Sequence, residues 1–394
     1  MATYKHVMAD RVAASNPFVY GEIVPRSAFV GRRAELDRLI ADLGDCQKVF
    51  LISPRRYGKS SLVRQAMAAL ARQRVATLEI TVSSFSSYVA FLEGYTRALA
   101  ELDTAVGRGR SWLADLFTAA RPELRVEGSA AGGSLSVSFP AVRSARDAAR
   151  LAEEVFALPA RLASRLGRPL AIALDEFQAI ASYDGGTVEQ ALRAAVQQQR
   201  HVGYVFAGSE PSLMEQMIGP KRPFYKAGPV MRLGKIPADL FADFVDGRFR
   251  TSGLGPETGL GAAVVDLSGN LPYDVQRLAH ETWDDVVAAK RRRVGLEDLH
   301  ATLHRLLAEQ ETLFEAVWQR LTLAQRGVLR AVVLERGIEI LGADARERHR
   351  LGGASSVQTA LAALIRLDVI AREDDGRYAV IDSLMREWVA RKTF

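Results

Sequence analysis

The stretch Lys48-Val49-Phe50-Leu51-Ile52-Ser53-Pro54-Arg55-Arg56-Tyr57-Gly58-Lys59-Ser60-Ser61-Leu62 decides how the rest of the chain is read. Val49 to Ile52 form a continuous apolar run, the pattern of a parallel strand buried on both faces. Beyond Gly58 the spacing changes, and Leu62, Ala66, Ala69 and Leu70 fall on one face of a helix. A strand, a polar loop and a helix in that order make an anion cradle. Backbone N–H groups converge at the helix N-terminus and the helix dipole adds to them. Arg56, Tyr57, Gly58, Lys59, Ser60 and Ser61 line this cradle. Gly58 lets the main chain approach phosphates without a Cβ in the way. Lys59 reaches the outer phosphates as a point charge, and the Ser60 hydroxyl can ligate Mg²⁺. The pattern G-x-x-x-x-G-K-[ST] expects glycine where Ser53 stands. A chance Gly-Lys-Ser is the competing reading, and the flanking strand and helix weigh against it.

A second buried strand, Leu170-Ala171-Ile172-Ala173-Leu174, ends in Asp175-Glu176. Ligands of α/β sheets collect at the carboxyl ends of parallel strands. There Asp175 is placed to hold Mg²⁺ and Glu176 to polarise an attacking water. A third apolar run, Val202 to Ala207, ends at Gly208-Ser209, and Ser209 is the candidate sensor of the terminal phosphate or the water. Upstream, Phe29 and Val30 sit just before the first core strand, where they can wall an adenine or simply pack a core. Lys226 lies in a basic stretch where a charge-neutralising side chain can sit.

The chain's 394 residues are enough for two or three domains. A net charge of +6 over that length is weak evidence for a polyanionic partner. Cys46 is the only cysteine, which excludes an intrachain disulfide and a cysteine-based zinc site and favours a reducing compartment. No run approaches the ~18 apolar residues of a membrane helix. With no signal-peptide pattern at Met1 to His6, a cytoplasmic location is expected.

Strand and helix patterns alternate up to about residue 235, giving an α/β parallel-sheet core over 1–235. A β-hairpin insertion at about 120–142 interrupts it, with a Gly/Ser/Ala tip expected to be mobile. From Pro237 onward strand signals vanish and amphipathic helices suggest a helical lid over 236–310. Within it Leu267-Ser268-Gly269-Asn270-Leu271-Pro272-Tyr273 forms a turn that starts a helix. Residues 311–394 read as a winged helix-turn-helix. Helices are expected at Leu323 to Leu334, Ala343 to Arg350 and about Ser355 to Leu367, followed by a hairpin about Glu373-Asp374-Asp375-Gly376.

With these residues in hand, the chain resembles the archaeal-type P-loop ATPases, relatives of the AAA+ and STAND groups. The resemblance runs through Asn16-Pro17-Phe18, Phe29-Val30-Gly31-Arg32, the Pro54-to-Leu62 loop, Leu174-Asp175-Glu176-Phe177-Gln178, Gly208-Ser209, Gly269-Asn270-Leu271-Pro272-Tyr273 and Ser355-Ser356-Val357-Gln358 ahead of Val380-Ile381-Asp382-Ser383. It implies a P-loop NTPase (AAA+-like) core, ATP and Mg²⁺ as cofactors, hydrolysis assisted by Glu176, a lid that brings Pro272 near the nucleotide, and a C-terminal winged helix. Two positions depart from the family pattern: Ser53 replaces the first loop glycine, and Lys226 stands where many relatives have arginine.

The leading expectation is an ATPase that switches lid and winged helix between two arrangements, working with a protein partner and capable of nucleotide-dependent self-assembly. The alternative is a nucleotide-regulated DNA-binding or regulatory module with little hydrolysis. The third winged-helix segment decides between them. Ser356, Gln358, Thr359, Ala363 and Arg366 are expected to face outward with one charge among them, and phosphate contacts supply most non-specific DNA affinity. DNA therefore depends on help from Arg346, Arg348, His349 and Arg350, and protein docking is favoured.

Overall fold

The computed structural model describes residues 15–105, 117, 122–127, 134–183, 187–373 and 375–392. They divide into two compact units, one of residues 25–233 and one in which residues 15–24 join residues from 234 onward.

The first unit is built on a parallel sheet of β1 (Lys48–Ile52), β2 (Ala76–Thr81), β5 (Leu170–Asp175), β6 (Val202–Gly208) and β7 (Val230–Arg232), in the order β2-β5-β6-β1-β7. Alternation along each strand sorts its two faces. Phe50, Ile52, Leu170, Ile172, Leu174, Tyr204 and Phe206 enter one buried cluster with Phe91, Tyr95, Phe156 and Phe177. Val49, Leu51, Ala171, Ala173, Val205 and Ala207 enter another with Leu39, Leu43, Leu62 and Leu70. The aromatic face is covered by α3 (Tyr88–Ala105), α4 (Ala145–Leu166) and α5 (Thr187–Gln198). The opposite face, rich in small residues, lets α1 (Arg33–Gly44) and α2 (Lys59–Arg72) pack close to the strands. Phe206 sits at the centre of the aromatic layer, its ring 4.9 Å from Phe50, 4.7 Å from Phe177 and 5.3 Å from Phe224. The α4 helix starts at a capping box in which the Ser144 side chain accepts from the Asp147 amide and the Asp147 carboxylate accepts from the Ser144 amide.

The insertion forms an antiparallel pair, β3 (Glu123–Glu127) with β4 (Ser134–Ser138). The tip expected to be mobile, residues 128–133, lies outside the described residues. The β7 strand was not foreseen. The sequence reading saw only the basic residues of Phe224 to Leu233, whereas Val230 to Arg232 pair in parallel with Phe50 to Ile52.

The second unit contains α6 to α8 of the lid, namely Ala238–Thr251, Leu260–Leu267 and Pro272–Ala288 when α6 denotes the first of them, then α9 (Leu296–Arg320). A short core helix, Pro211–Met217, belongs to the first unit. Strand pairing does not vanish after Pro237: β8 (Gly255–Pro256) and β9 (Arg293–Val294) form a two-residue parallel bridge. Residues 16–20 pack on the helices of this unit. Asn16 donates to the His280 carbonyl at 3.0 Å and to Asp284 at 2.9 Å, Val19 donates to Gln276 at 3.2 Å, and the Tyr20 hydroxyl donates to Glu281 at 2.7 Å. Phe18 is buried against Phe249.

The winged-helix segment has α10 (Leu323–Leu334), α11 (Ala343–Arg348), α12 (Ala354–Arg366), an antiparallel β10 (Ile370–Arg372) and β11 (Tyr378–Val380), and α13 (Ser383–Arg391). The last helix was not foreseen. The α9 helix runs without a break across residues 310 and 311, where the sequence pattern placed a domain boundary, because its apolar positions continue from Leu299 to Trp318. Among the described residues no helix is long and apolar enough to cross a membrane.

Candidate nucleotide site

Gly58 is the N-cap of α2 in the left-handed region, φ 84°, and nothing lies within 4 Å of a Cβ built there. A glycine cap offers no side chain, so no side-chain hydrogen bond closes this helix start. Its dipole and first amides face the loop, as an anion cradle requires. Arg56 takes the same left-handed conformation at φ 69° and its side chain is exposed.

The Lys59 side chain is only 5% exposed and is held between two acids, hydrogen-bonded to Asp175 and 3.6 Å from Glu176. The Ser60 hydroxyl donates to the other Asp175 oxygen at 2.8 Å. Asp175 is the last residue of β5, while Glu176 lies just past it with φ 52°. That turn is tied by the Glu176 amide donating back to Asp175 at 2.9 Å. Ser209, immediately after β6, donates its hydroxyl to Glu176. Residues from three neighbouring elements thus meet at the carboxyl end of the sheet. Lys59, Ser60, Asp175, Glu176 and Ser209 come together as the sequence expectation placed them.

Other candidates lie further out. The Tyr57 side chain is buried and Ser61 half-buried beside the loop. Phe29 is half-buried and packs on the cluster beneath α1, and Val30 is half-buried next to it. Lys226 is exposed and lies over the Tyr225 ring, 5.3 Å from its centroid. Ser53 is 1% exposed, its amide bonded to the Gly208 carbonyl at 3.3 Å. The side chain at the departing position is therefore folded into the sheet end. Pro272 is the first residue of its helix in the second unit.

Two residues of this site were quoted in the sequence without a role. Gln178 is buried, and its amide donates to Glu176 at 2.6 Å, to Ser209 at 3.3 Å and to Glu210 at 3.4 Å. A glutamine inside the short helical turn Phe177–Ser182 is the signal that could have found it, since a buried amide needs polar partners. Arg32 is 5% exposed and hydrogen-bonds Glu35 at 3.1 Å and the Tyr57 carbonyl at 3.4 Å, bracing the loop from below. Burial pushes its guanidinium below the usual arginine range, opposed by Glu35.

These residues fit a magnesium nucleotide. Among the described residues no cluster of three or more His, Cys, Asp or Glu could hold a metal unaided. Mg²⁺ is commonly held by one or two protein oxygens with phosphates and water, a role that Ser60 and Asp175 match. The Lys59 ammonium already rests on carboxylate oxygens, the same charge type as a phosphate.

Comparison with known proteins agrees with this geometry. The family described as "AAA ATPase domain" matches residues 28–206, and that described as "Probable winged helix domain" matches residues 312–391. No curated protein matches the chain. Among solved structures, a Walker-type ATPase of Pyrococcus abyssi is similar at 16% identity and TM-score 0.64, covering 93% of this chain and 99% of that one. The ORC2 protein of Aeropyrum pernix, with ADPNP and ADP, is similar at 11% identity and TM-score 0.53, covering 97% of each chain. The ORC1 protein of Aeropyrum pernix in complex with DNA is similar at 15% identity and TM-score 0.51, covering 93% of this chain and 94% of that one. At such identities the likeness is one of fold. The motif residues, the five-stranded parallel sheet and the two family matches lead to one identification: residues 28–206 form an AAA ATPase domain of P-loop type, and residues 312–391 a C-terminal winged helix domain.

Proposed function

We propose that the protein is an Mg²⁺-dependent ATP hydrolase acting as a nucleotide-driven switch. In this reading a catalytic core reaches to about residue 233, a helical lid follows, and the winged helix is the output. The observation that carries it is the buried Lys59 held by Asp175 and Glu176, with Ser209 and Gln178 gripping the same glutamate. When bound, Mg²⁺ supplies charge neutralisation at the transferring phosphoryl group. Lys59 exchanges its carboxylate partners for phosphate oxygens, so binding releases Glu176 from its cation. Ser60 and Asp175 orient toward the metal. Glu176 then accepts a proton from water, and Gln178 and Ser209 hold its carboxylate in place. Phe29 and Val30 are assigned to the nucleotide's adenine, and Arg56, Tyr57, Gly58 and Ser61 to its phosphates; Pro272 is assigned to nucleotide binding on the family resemblance alone. ATP drives the switch only to the extent that it binds the two arrangements with different affinity.

Protein docking is the proposed use of the winged helix. On α12, Ser356, Gln358, Thr359 and Arg366 are exposed as expected, while Ala363 is half-buried and Ala362 and Ile365 are exposed in its place. Three of the four preceding cations are engaged: Arg348 and His349 both meet Glu335, and Arg346 donates to the Leu341 carbonyl, while Arg350 is exposed. Residues 312–391 hold 12 Lys and Arg against 11 Asp and Glu, a poor basis for phosphate contacts.

The test is Glu176→Gln, with phosphate release and nucleotide affinity measured on one preparation. The amide keeps the shape and the hydrogen bonds but cannot take the proton. Turnover is expected to fall ~10²–10⁴-fold, the usual contribution of a positioned general base, with ATP still bound. Equal turnover in wild type and variant would remove Glu176 from catalysis. A wild type that binds ATP but releases no phosphate would leave a switch without hydrolysis.

A further inference from the structure

The end of the sheet opposite the P-loop carries cations that the nucleotide reading leaves unused. Ala76 pairs with Leu170, and Leu170 pairs with Val202. Hydrogen bonds continue the pairing below the strands, from the Ala76 amide to the Pro169 carbonyl and from the Leu170 amide to the His201 carbonyl. Two residues before each paired position stand Arg74, Arg168 and Arg200. At the ~4.8 Å spacing of neighbouring strands the three entry points span about 10 Å. Arg72 ends α2, two residues before Arg74.

Arg72, Arg74 and Arg200 are exposed and Arg168 half-buried. Among the described residues none of the four makes an ion pair, although arginines elsewhere in the core do, such as Arg64 with Glu79 and Arg222 with Glu189. Helix dipoles account for a cation in a last turn. They account for Arg72, whereas Arg74, Arg168 and Arg200 lie beyond the helix ends in the connecting turns.

Those turns are held in place. The Val75 amide bonds back to the Leu70 carbonyl, and Gly167 at φ 61° closes α4. The buried Gln199 donates to the Phe156 carbonyl at 2.6 Å and accepts from the Tyr204 hydroxyl at 2.6 Å. The Lys48 ammonium is consumed by the Cys46 and Gln199 carbonyls at 2.8 and 2.9 Å. Asp45, exposed at the C-cap of α1 three residues before β1, bounds the row on that side.

We infer that this row is a binding surface for the phosphodiester backbone of a nucleic acid, carried by the ATPase core and separate from the winged helix. The charge inventory points the same way. Residues 25–233 hold 28 Lys and Arg against 20 Asp and Glu, while residues 234–311 hold 9 against 13. Arginine presents a planar fork matched to phosphate, and three of them in register meet successive phosphates of one strand. An axial rise of ~3.4 Å per phosphate on a strand puts about three phosphates within the row. An anionic membrane is the weaker fit, because no large exposed hydrophobic residue of the chain belongs to these turns to insert among lipids.

The full chain is titrated with a fluorescein-labelled 30-nucleotide single strand and the matching duplex, by anisotropy, between about 50 and 200 mM salt. R74Q/R168Q/R200Q is expected to flatten the slope of log affinity against log salt by ~2–3 and to weaken binding at least tenfold at the low-salt end, since each phosphate contact contributes ~0.7–0.9 to that slope. R346Q/R348Q/R350Q is expected to leave the slope unchanged. Unaltered ATP affinity of the first triple variant, roughly 25 Å along the strands from the P-loop, shows that it is folded. R74K/R168K/R200K keeps the charge and is expected to keep the slope while losing affinity. The proposal is overturned if wild type binds neither oligonucleotide, if the winged-helix triple flattens the slope instead, or if phosphatidylserine vesicles bind where oligonucleotides do not. Should R74Q/R168Q/R200Q fail to fold, Arg200→Gln alone is expected to lower the slope by about one contact, and an unchanged slope there overturns it.

Discussion

At the carboxyl end of the core sheet Lys59 lies on Asp175 and Glu176, with Ser209 and Gln178 bonded to the same glutamate. At the amino end Arg74, Arg168 and Arg200 have no ion-pair partner among the described residues. The two ends solve different problems. A buried ammonium must be neutralised before a ligand arrives, because an unpaired charge out of water costs several kcal/mol. Binding there is an exchange of partners. Exposed guanidinium groups stay hydrated, so binding at the base proceeds by release of counterions and falls with salt. The same strands present both ends, and substitutions that separate the ends test the contrast.

The largest effect is expected from the layer that joins them. Phe206 contacts Phe50, Phe177 and Phe224 and is fully buried. Phe206→Ala is expected to cost ~3–5 kcal/mol of stability, the usual loss for a buried aromatic ring. Urea unfolding followed by circular dichroism reads it. A loss below ~1 kcal/mol would mean that the ring layer does not tie the two ends together.

Next comes Lys59→Ala. It removes the cation held by Asp175 and Glu176 and leaves the two carboxylates facing each other. ATP affinity in Mg²⁺ is expected to fall by about 3 kcal/mol, roughly two orders of magnitude, with the salt slope for oligonucleotides unchanged. Calorimetric titration showing near-normal affinity would break the P-loop reading; a flattened salt slope would break the separation of the two ends.

The two ends also differ in how far they could be read from sequence. Lys59 and Ser60 are neighbours in a patterned loop, and Asp175 and Glu176 end an apolar run, so local spacing with strand–helix alternation was enough to bring them together. Gln178 lies in the same stretch, but its partners Ser209 and Glu210 come from the end of another strand, beyond the reach of local spacing. Arg74, Arg168 and Arg200 have no local pattern at all. They become neighbours only through the pairing of β2 with β5 and β5 with β6. Long-range pairing also explains the missed β7, whose three residues form a strand by lying on β1. Residues 18–20 show the same limit: the partners of Phe18, Val19 and Tyr20, namely Phe249, Gln276 and Glu281, come more than two hundred residues later.

The smallest effect, and the finest test of the contrast, comes from the glycines near the two ends of β6. A Cβ at Gly203 would stand 2.6 Å from the Leu43 carbonyl oxygen, where the last turn of α1 crosses the strand. That neighbour is backbone and cannot rotate away. Gly203→Ala therefore has to push α1 outward, and such overpacking costs typically ~1–3 kcal/mol. A Cβ at Gly208 would collide with the Met214 side chain and lie 2.9 Å from the Gln178 amide oxygen. Methionine is unbranched and adaptable, so the collision can be relieved by rotamer changes at a cost of about 1 kcal/mol or less. Gln178, however, is hydrogen-bonded to Glu176, and displacing it loosens the carboxylate proposed to take the proton. Gly203→Ala is expected to lower stability with turnover per folded molecule intact. Gly208→Ala is expected to reduce turnover with little change in stability. Melting curves and phosphate release on both variants decide it. If Gly208→Ala keeps full turnover while its crystal structure shows Gln178 moved, the glutamine plays no part in positioning Glu176, and the carboxyl end is held by Lys59 and Ser209 alone.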